Sequence, residues 1–228
     1  MKPAARARRM PWSRILGAIL SRLDGAEHGA PLPSVSEVAR IDSDPFRVLV
    51  ATMISLRTKD EVTSRAAERL LAAAPSPEAL SSLPAAKIAR LIYPAGFYRT
   101  KARNLRASAR LLIARHGSAV PRSMEELLAL PGVGRKTANL VRNLGFGLPG
   151  ICVDTHVHRI SNRFGWVSTQ GPEETETALI RVLPRRYWIP INEILVRFGQ
   201  SVCTPLSPWC STCPAAQWCA RVGVGRSR

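Results

Sequence analysis

The 228 residues suffice for one domain or two small ones, and a 46% hydrophobic content suffices for a buried core, which excludes a disordered tail. Lys and Arg number 33 against 16 Asp and Glu, a formal charge of +17 spread along the chain, so a polyanionic partner is expected. No apolar run approaches the ~20 residues of a membrane span and no single basic amphipathic helix stands out, which favours nucleic acid over a membrane; a basic protein from an arginine-rich proteome is the plain alternative.

At the N-terminus, residues 1–9 hold Lys2, Arg6, Arg8 and Arg9 and no acid. They lack the apolar stretch of a secretory signal, and both a phosphate-touching arm and an organellar transit segment fit them. For a bacterial source the expected location is the cytoplasm or nucleoid. Beyond this segment the pattern is helical nearly throughout, with Pro- and Gly-marked breaks and no sustained two-residue alternation, so an all-α fold is expected. Asp44-Pro45 sets a cap and a first-turn proline before the apolar run Phe46 to Leu56, and Ser76-Pro77-Glu78 does the same before Ala79-Leu80. Ser123 with Glu126 is a capping-box pattern opening a short helix that stops at Pro131. A further helix is expected from about Arg135 to Leu144, ending at Gly145, and another from Asp154, as its cap, to about Arg163.

Between two of these helices stands Leu130-Pro131-Gly132-Val133-Gly134-Arg135-Lys136. Glycines permit unusual backbone angles and close approach, leaving amides at a helix start to face a phosphate. Gly132, Gly134 and Arg135 are therefore candidate DNA contacts without sequence readout, while a tight interhelical turn with solvated charges is the plain alternative. The motif lacks the spacing of a nucleotide-binding P-loop. Near the C-terminus the spacing Cys203-x6-Cys210-x2-Cys213-x5-Cys219 places four thiols within seventeen residues. Such a compact single run favours an iron–sulfur cluster over zinc, whose sites usually pair two short knuckles across a longer gap. Cys152 stands apart as a small buried hydrophobe. His156 and His158, two apart on a helix, point in different directions and read as packing residues rather than zinc ligands.

The hairpin, then Val153-Asp154-Thr155-His156 eighteen residues after Lys136, then the cysteine run, together resemble the endonuclease III family of helix-hairpin-helix DNA glycosylases. The resemblance extends from about Asp44 to Cys219. It implies two helical lobes: a six-helix barrel containing the hairpin, expected over residues 38–148, and an iron–sulfur lobe built from both chain ends, residues 1–37 and 149–228. It further implies a [4Fe–4S] cluster on Cys203, Cys210, Cys213 and Cys219, with Lys136 as catalytic lysine and Asp154 as catalytic aspartate. The expected partner is double-stranded DNA holding damaged bases or abasic sites, bound by a monomer with no membrane involved. The implied reaction excises oxidised pyrimidines through a lysine Schiff base and cuts the strand on the 3′ side by β-elimination.

Residue chemistry agrees with that implication. A base must leave the duplex before its glycosidic bond can be attacked. An amine attacks only when neutral, and both Arg135 and the positive end of its own helix disfavour a second charge at Lys136. Asp154 can steady positive charge developing on the sugar. The chain departs from many family members at two positions: Arg57 in Ser55-Leu56-Arg57-Thr58-Lys59-Asp60 stands where a gap-filling glutamine is common, and Phe97 in Gly96-Phe97-Tyr98 where a leucine wedge is common. Both can enter a duplex by stacking, although Phe97 as core and Arg57 on phosphate is the plain alternative. Two other functions compete: a monofunctional mismatch glycosylase, disfavoured because Lys136 is present and residues 55–60 hold no glutamate, and a non-catalytic DNA-binding module.

Overall fold

The structure, a computed structural model, describes residues 10–25 and 30–228. The basic segment 1–9, on which the arm and transit expectations rest, lies outside the described residues. Among those described there is no β-strand. The helices are α1 (Trp12–Asp24), α2 (Ser34–Ile41), α3 (Pro45–Ser55), α4 (Asp60–Ala73), α5 (Pro77–Ser82), α6 (Ala85–Ile92), α7 (Tyr98–His116), α8 (Met124–Leu128), α9 (Arg135–Leu140), α10 (Thr155–Phe164), α11 (Pro172–Val182) and α12 (Ile191–Ser201).

Local chemistry sets the starts of several. Asp44 accepts from the Phe46 and Arg47 amides at the head of α3, with Pro45 in the first turn, where a missing N–H is harmless. Ser76 caps α5 through the Ala79 amide, and Ser123 caps α8 through the Glu126 amide. The capping box at Ser123 closes differently from the expected pattern: its hydroxyl donates to Glu126 Oε2 at 2.6 Å. The helix after the hairpin departs more. It leaves α-helical geometry at Leu140 and finishes as a π turn over Val141–Gly145, with buried Asn143 donating to the Gly150 carbonyl at 3.0 Å.

Two separate cores form. The first lies within α2 to α9 and centres on α3, whose residues from Phe46 to Ile54 are all buried except Arg47; a helix apolar nearly all round must be enclosed by others. Leu70 of α4, Ile88 and Ile92 of α6, and Leu105 and Leu112 of α7 close around it. Taking α9 with its π continuation as one, six helical stretches of eight residues or more surround this core, with short α5 and α8 between them. The second core joins Ile15, Leu16 and Ile19 of α1 to Val157, Ile160 and Phe164 of α10 and to Leu195 and Phe198 of α12. Trp12 meets Trp166 edge-on at 4.8 Å, so the two ends of the chain share one interior. A division at 37/38 falls inside α2, whose Val35 and Val38 both pack in the first core. The division near 148/149 falls between Val141 of the first core and Ile151 of the second.

Candidate active site

The cleft between the cores is a cavity of about 960 Å³. Leu56, Arg57, Lys136 and Asn139 line it from the first lobe, and Asp154 and Glu176 from the second. The hairpin positions Lys136. Gly132 has φ of 81°, and a Cβ there would lie 2.6 Å from Asn104 Nδ2 on α7, so angle and space both require glycine. Gly134 differs from the expectation: its φ is −101° and nothing lies within 4 Å of where a Cβ would be.

Lys136 Nζ stands 3.8 Å from Asp154 Oδ2. The two oxygens of Asp154 divide their work. Oδ1 accepts from the amides of His156 and Val157, each at 2.9 Å, capping α10, while Oδ2 faces the lysine. The side chain of Asp154 is 10% exposed and that of Lys136 is 40% exposed, so the amine is reachable from solvent whereas the carboxylate is held. Arg135 has a carboxylate partner of its own. Its guanidinium is held across the cleft by buried Glu176, at 2.6 and 3.2 Å, and Glu176 raises the Arg135 pKa above the usual range. Asn139 donates to the same carboxylate at 3.2 Å and to the Ile151 carbonyl at 3.3 Å, so Glu176 ties the two lobes together behind Lys136. Sequence reasoning missed Glu176, which lies 41 residues from Arg135 within an acid-rich helix start and carries no local signal.

Arg57 and Phe97 come together. The Arg57 guanidinium lies over the Phe97 ring, 5.0 Å from its centroid, and both side chains are exposed, Phe97 at 61%. Phe97 is therefore not a core residue. Both hold left-handed backbone angles, φ 53° and 56°, unusual for residues with a Cβ. Their loops are clamped: a Cβ on Gly96 would lie 2.4 Å from the Arg57 carbonyl oxygen, and the Gly96 amide donates to Thr58 Oγ1 at 3.1 Å. Beneath them, buried Lys101 of α7 donates to the Ile54 and Leu56 carbonyls at 2.6 and 2.5 Å and to Thr58 Oγ1 at 2.8 Å. Burial pushes its pKa down to about 8. Lys101 was also missed, yet it stands four residues before Leu105 on the buried face of α7, a periodicity that marks it.

Cys203, Cys210, Cys213 and Cys219 are free thiols lining one cavity with Phe164, Phe198 and Val202. Burial raises the thiol pKa of Cys213 and Cys219, and the other cysteines of the group add to the rise. Arg163 donates to the Thr204 carbonyl at 2.7 Å and to that of Pro205, and Arg159 to that of Cys203 at 2.9 Å, which fixes the start of the loop. Among the described residues, no group of three or more His, Cys, Asp or Glu converges as a single metal ion would require. Cys152 is fully buried, and burial raises its pKa far above the usual thiol value, as befits a packing residue. His158 Nδ1 meets Thr175 Oγ1 at 2.7 Å and His156 Nδ1 meets Arg159 at 3.2 Å, so each ring takes part in hydrogen bonding within the fold.

The chain matches the model of the HhH-GPD superfamily of base excision DNA repair proteins over residues 50–185. Endonuclease III of Thermotoga maritima is 48% identical over 82% of this chain and 89% of its own, and the endonuclease III-like protein 1 of Bos taurus is 42% identical over 83% of this chain and 61% of its own. The chloroplastic endonuclease III homolog 2 of Arabidopsis thaliana is 46% identical, and the chain spans about half, 47%, of its length. A solved structure of an endonuclease III trapped as a covalent intermediate with DNA superposes with a TM-score of 0.74 at 34% identity, covering 82% of this chain and 92% of that one. A non-covalent endonuclease III–DNA complex gives 0.77 at 31%, covering 90% and 92%. The chain belongs to the endonuclease III family. It is a base-excision DNA glycosylase with lyase activity at abasic sites. No helix among the described residues is long and apolar enough to cross a membrane.

Proposed function

We propose that Lys136 is the nucleophile and Asp154 its charged partner, acting on oxidised pyrimidines in double-stranded DNA. The observation that carries this is the 3.8 Å approach of Lys136 Nζ to Asp154 Oδ2 in the interlobe cleft, in a family for which a covalent DNA intermediate has been trapped. With the damaged nucleotide in the cleft, the neutral amine bonds to C1′. The glycosidic C–N bond breaks, its electron pair leaves on the base, and the base takes up a proton. Loss of the proton on nitrogen and opening of the sugar ring, with O4′ protonated, leave an imine between Nζ and C1′. Removal of a C2′ proton then expels the 3′ phosphate oxygen and cuts the strand, and water hydrolyses the imine to free Lys136. Asp154 Oδ2 supplies negative charge beside the sugar as positive charge develops there, and stands where it can hold the proton that Nζ gives up.

The monomer grips the lesion strand at the hairpin, where Gly132, Gly134 and Arg135 bring backbone amides to the phosphates, and fills the vacated stack with Phe97 and Arg57. A lysine paired with a carboxylate in the cleft favours the imine route over a monofunctional one.

Cys203, Cys210, Cys213 and Cys219 would hold a [4Fe–4S] cluster. The four thiols line one small cavity, and their compact single run of sequence suits a cluster better than zinc. When bound, the cluster supplies cross-links that fold the Pro-rich loop from Thr204 to Trp218. The experiment that tests the substrate assignment is a panel of duplexes, each with one defined lesion, scored in parallel for free base and strand cleavage. Base release and cleavage together on oxidised pyrimidines is the expected outcome. Base release without cleavage on every lesion would point to monofunctional chemistry.

A further inference from the structure

Two neighbouring loops carry the residues assigned to the vacated stack, and each loop holds its residue in a backbone conformation that costs energy. Arg57 follows the end of α3 and Phe97 precedes α7, both with left-handed φ. The interior does not require either side chain, since both are exposed. Such a conformation in a residue with a Cβ persists only where its surroundings over-determine it. Two of them side by side on one exposed edge point to a role at that edge.

The surroundings converge on two side chains. The ammonium of Lys101 has three protons, and its three acceptors are the Ile54 and Leu56 carbonyls, where α3 ends, and Thr58 Oγ1. Its backbone N–H donates to the Phe97 carbonyl at 3.0 Å, so Lys101 is bonded to both loops at once. Among the described residues no carboxylate lies within ion-pair distance of Lys101, and its charge is met by these loop oxygens.

Thr58 is the second junction. Its hydroxyl accepts from Lys101 and from the amide of Gly96, the residue before Phe97. It donates its own proton, at 3.4 Å, to the carbonyl of Leu56, the residue before Arg57. One hydroxyl therefore ties together the residues that precede the two inserts. The Gly96 backbone lies so close to the Arg57 carbonyl that no Cβ fits between them. The root of the Phe97 loop is held separately: Arg69 of α4 donates to the Leu91 and Tyr93 carbonyls at 2.8 and 2.7 Å. Loss of the Thr58 junction thus frees the tips of the loops and leaves their roots in place.

We propose that Thr58 and Lys101 are positioning residues for nucleotide flipping: through the Thr58 hydroxyl they lock Arg57 and Phe97 into one unit that enters the duplex in a single step. A pair set before DNA arrives loses little freedom on entering it, so its ordering does not add to the cost of flipping. The proposal rests on the reading that these two residues fill the vacated stack.

The test uses the full-length cluster-loaded protein and a duplex with one abasic site beside a fluorescent adenine analogue, which brightens when its neighbour leaves the stack. The readout is the single-turnover cleavage rate on that duplex divided by the rate on the same abasic site in a single strand, which needs no flipping. Thr58→Val keeps the shape of the side chain and removes the hydroxyl; the ratio should fall roughly tenfold, with a slower fluorescence rise. Thr58→Ser restores the hydroxyl and should return the ratio close to wild type. Gly96→Ala forces the loops apart without touching the hydroxyl and should lower the ratio as well. In Arg57→Gly/Phe97→Gly, which has no inserts to position, adding Thr58→Val should change the ratio by less than about twofold. A wild-type ratio in Thr58→Val, no rescue by serine, or an undiminished effect of Thr58→Val without the inserts would overturn the proposal. Should Thr58→Val not fold, a wild-type ratio in Gly96→Ala overturns it. A wild-type ratio in Arg57→Gly/Phe97→Gly itself would instead refute the entry of these two residues into the duplex.

Discussion

Phe97 offers a substitution that separates work on DNA from work in the fold. It holds φ of 56° and is 61% exposed, so Phe97→Gly removes a left-handed strain of about 1–2 kcal/mol. Against that stand the entropy of a new glycine, about 0.5–1 kcal/mol, and loss of the Arg57 contact, about 0.5–1 kcal/mol. These nearly cancel, and at about 2–4 °C per kcal/mol the melting temperature should move by no more than a few degrees. On DNA nothing cancels. Losing the ring removes stacking of about 1–3 kcal/mol, a factor of roughly five to 150 in rate on substrates whose nucleotide must be flipped out. The assay is single-turnover cleavage of a lesion in a duplex beside cleavage of an abasic site in a single strand, with thermal unfolding in parallel. A large duplex loss, a spared single strand and an unmoved melting point are expected. Equal losses on both substrates, or a melting point lowered by roughly ten degrees, would show that the ring packs and does not wedge.

Three further outcomes follow from the geometry. Lys101→Met strips donors from the Ile54 and Leu56 carbonyls and from Thr58 Oγ1, and should lower stability by roughly 2–5 kcal/mol, read by denaturant unfolding. The Lys101 pKa, about 8 in the fold, lies below the ordinary 10.5, so between those values the unfolded chain binds the extra proton and wild-type stability gains as pH rises; the variant should lack that gain. Asp154→Asn keeps an oxygen to cap α10 but removes the charge facing Lys136, so turnover should fall about a hundredfold or more with melting temperature and duplex affinity nearly unchanged, and wild-type turnover would remove Asp154 from the chemistry. The purified protein should be brown with about four irons per chain, and Cys210→Ser should lose iron and solubility together; one zinc in a colourless anaerobic preparation would contradict the cluster.

What was legible in the sequence is what depends on near neighbours along the chain. Asp44, Ser76 and Asp154 announce helix starts because a cap and the amides it serves are two or three residues apart. The cysteine run is legible for the same reason, and the hairpin lysine and Asp154 through their motifs. The unread parts are pairings between distant segments. Glu176 reaches Arg135 across 41 residues, and that pairing makes a clasp between lobes. Lys101 reaches back 47 residues to Ile54, and its burial was visible only as a lysine on the apolar face of α7. The π turn at Val141–Gly145 has no sequence mark apart from Asn143, whose bond to Gly150 exists only once the chain has turned back.

Borohydride trapping asks most directly whether Lys136 is the nucleophile. Wild-type protein incubated with a duplex containing one abasic site and reduced should become covalently attached to DNA, with peptide mapping placing the adduct on Lys136. Lys136→Ala should give no adduct while binding the same duplex with nearly wild-type affinity. An adduct of undiminished yield on Lys136→Ala, or mapping of the wild-type adduct to another residue, would contradict the assignment.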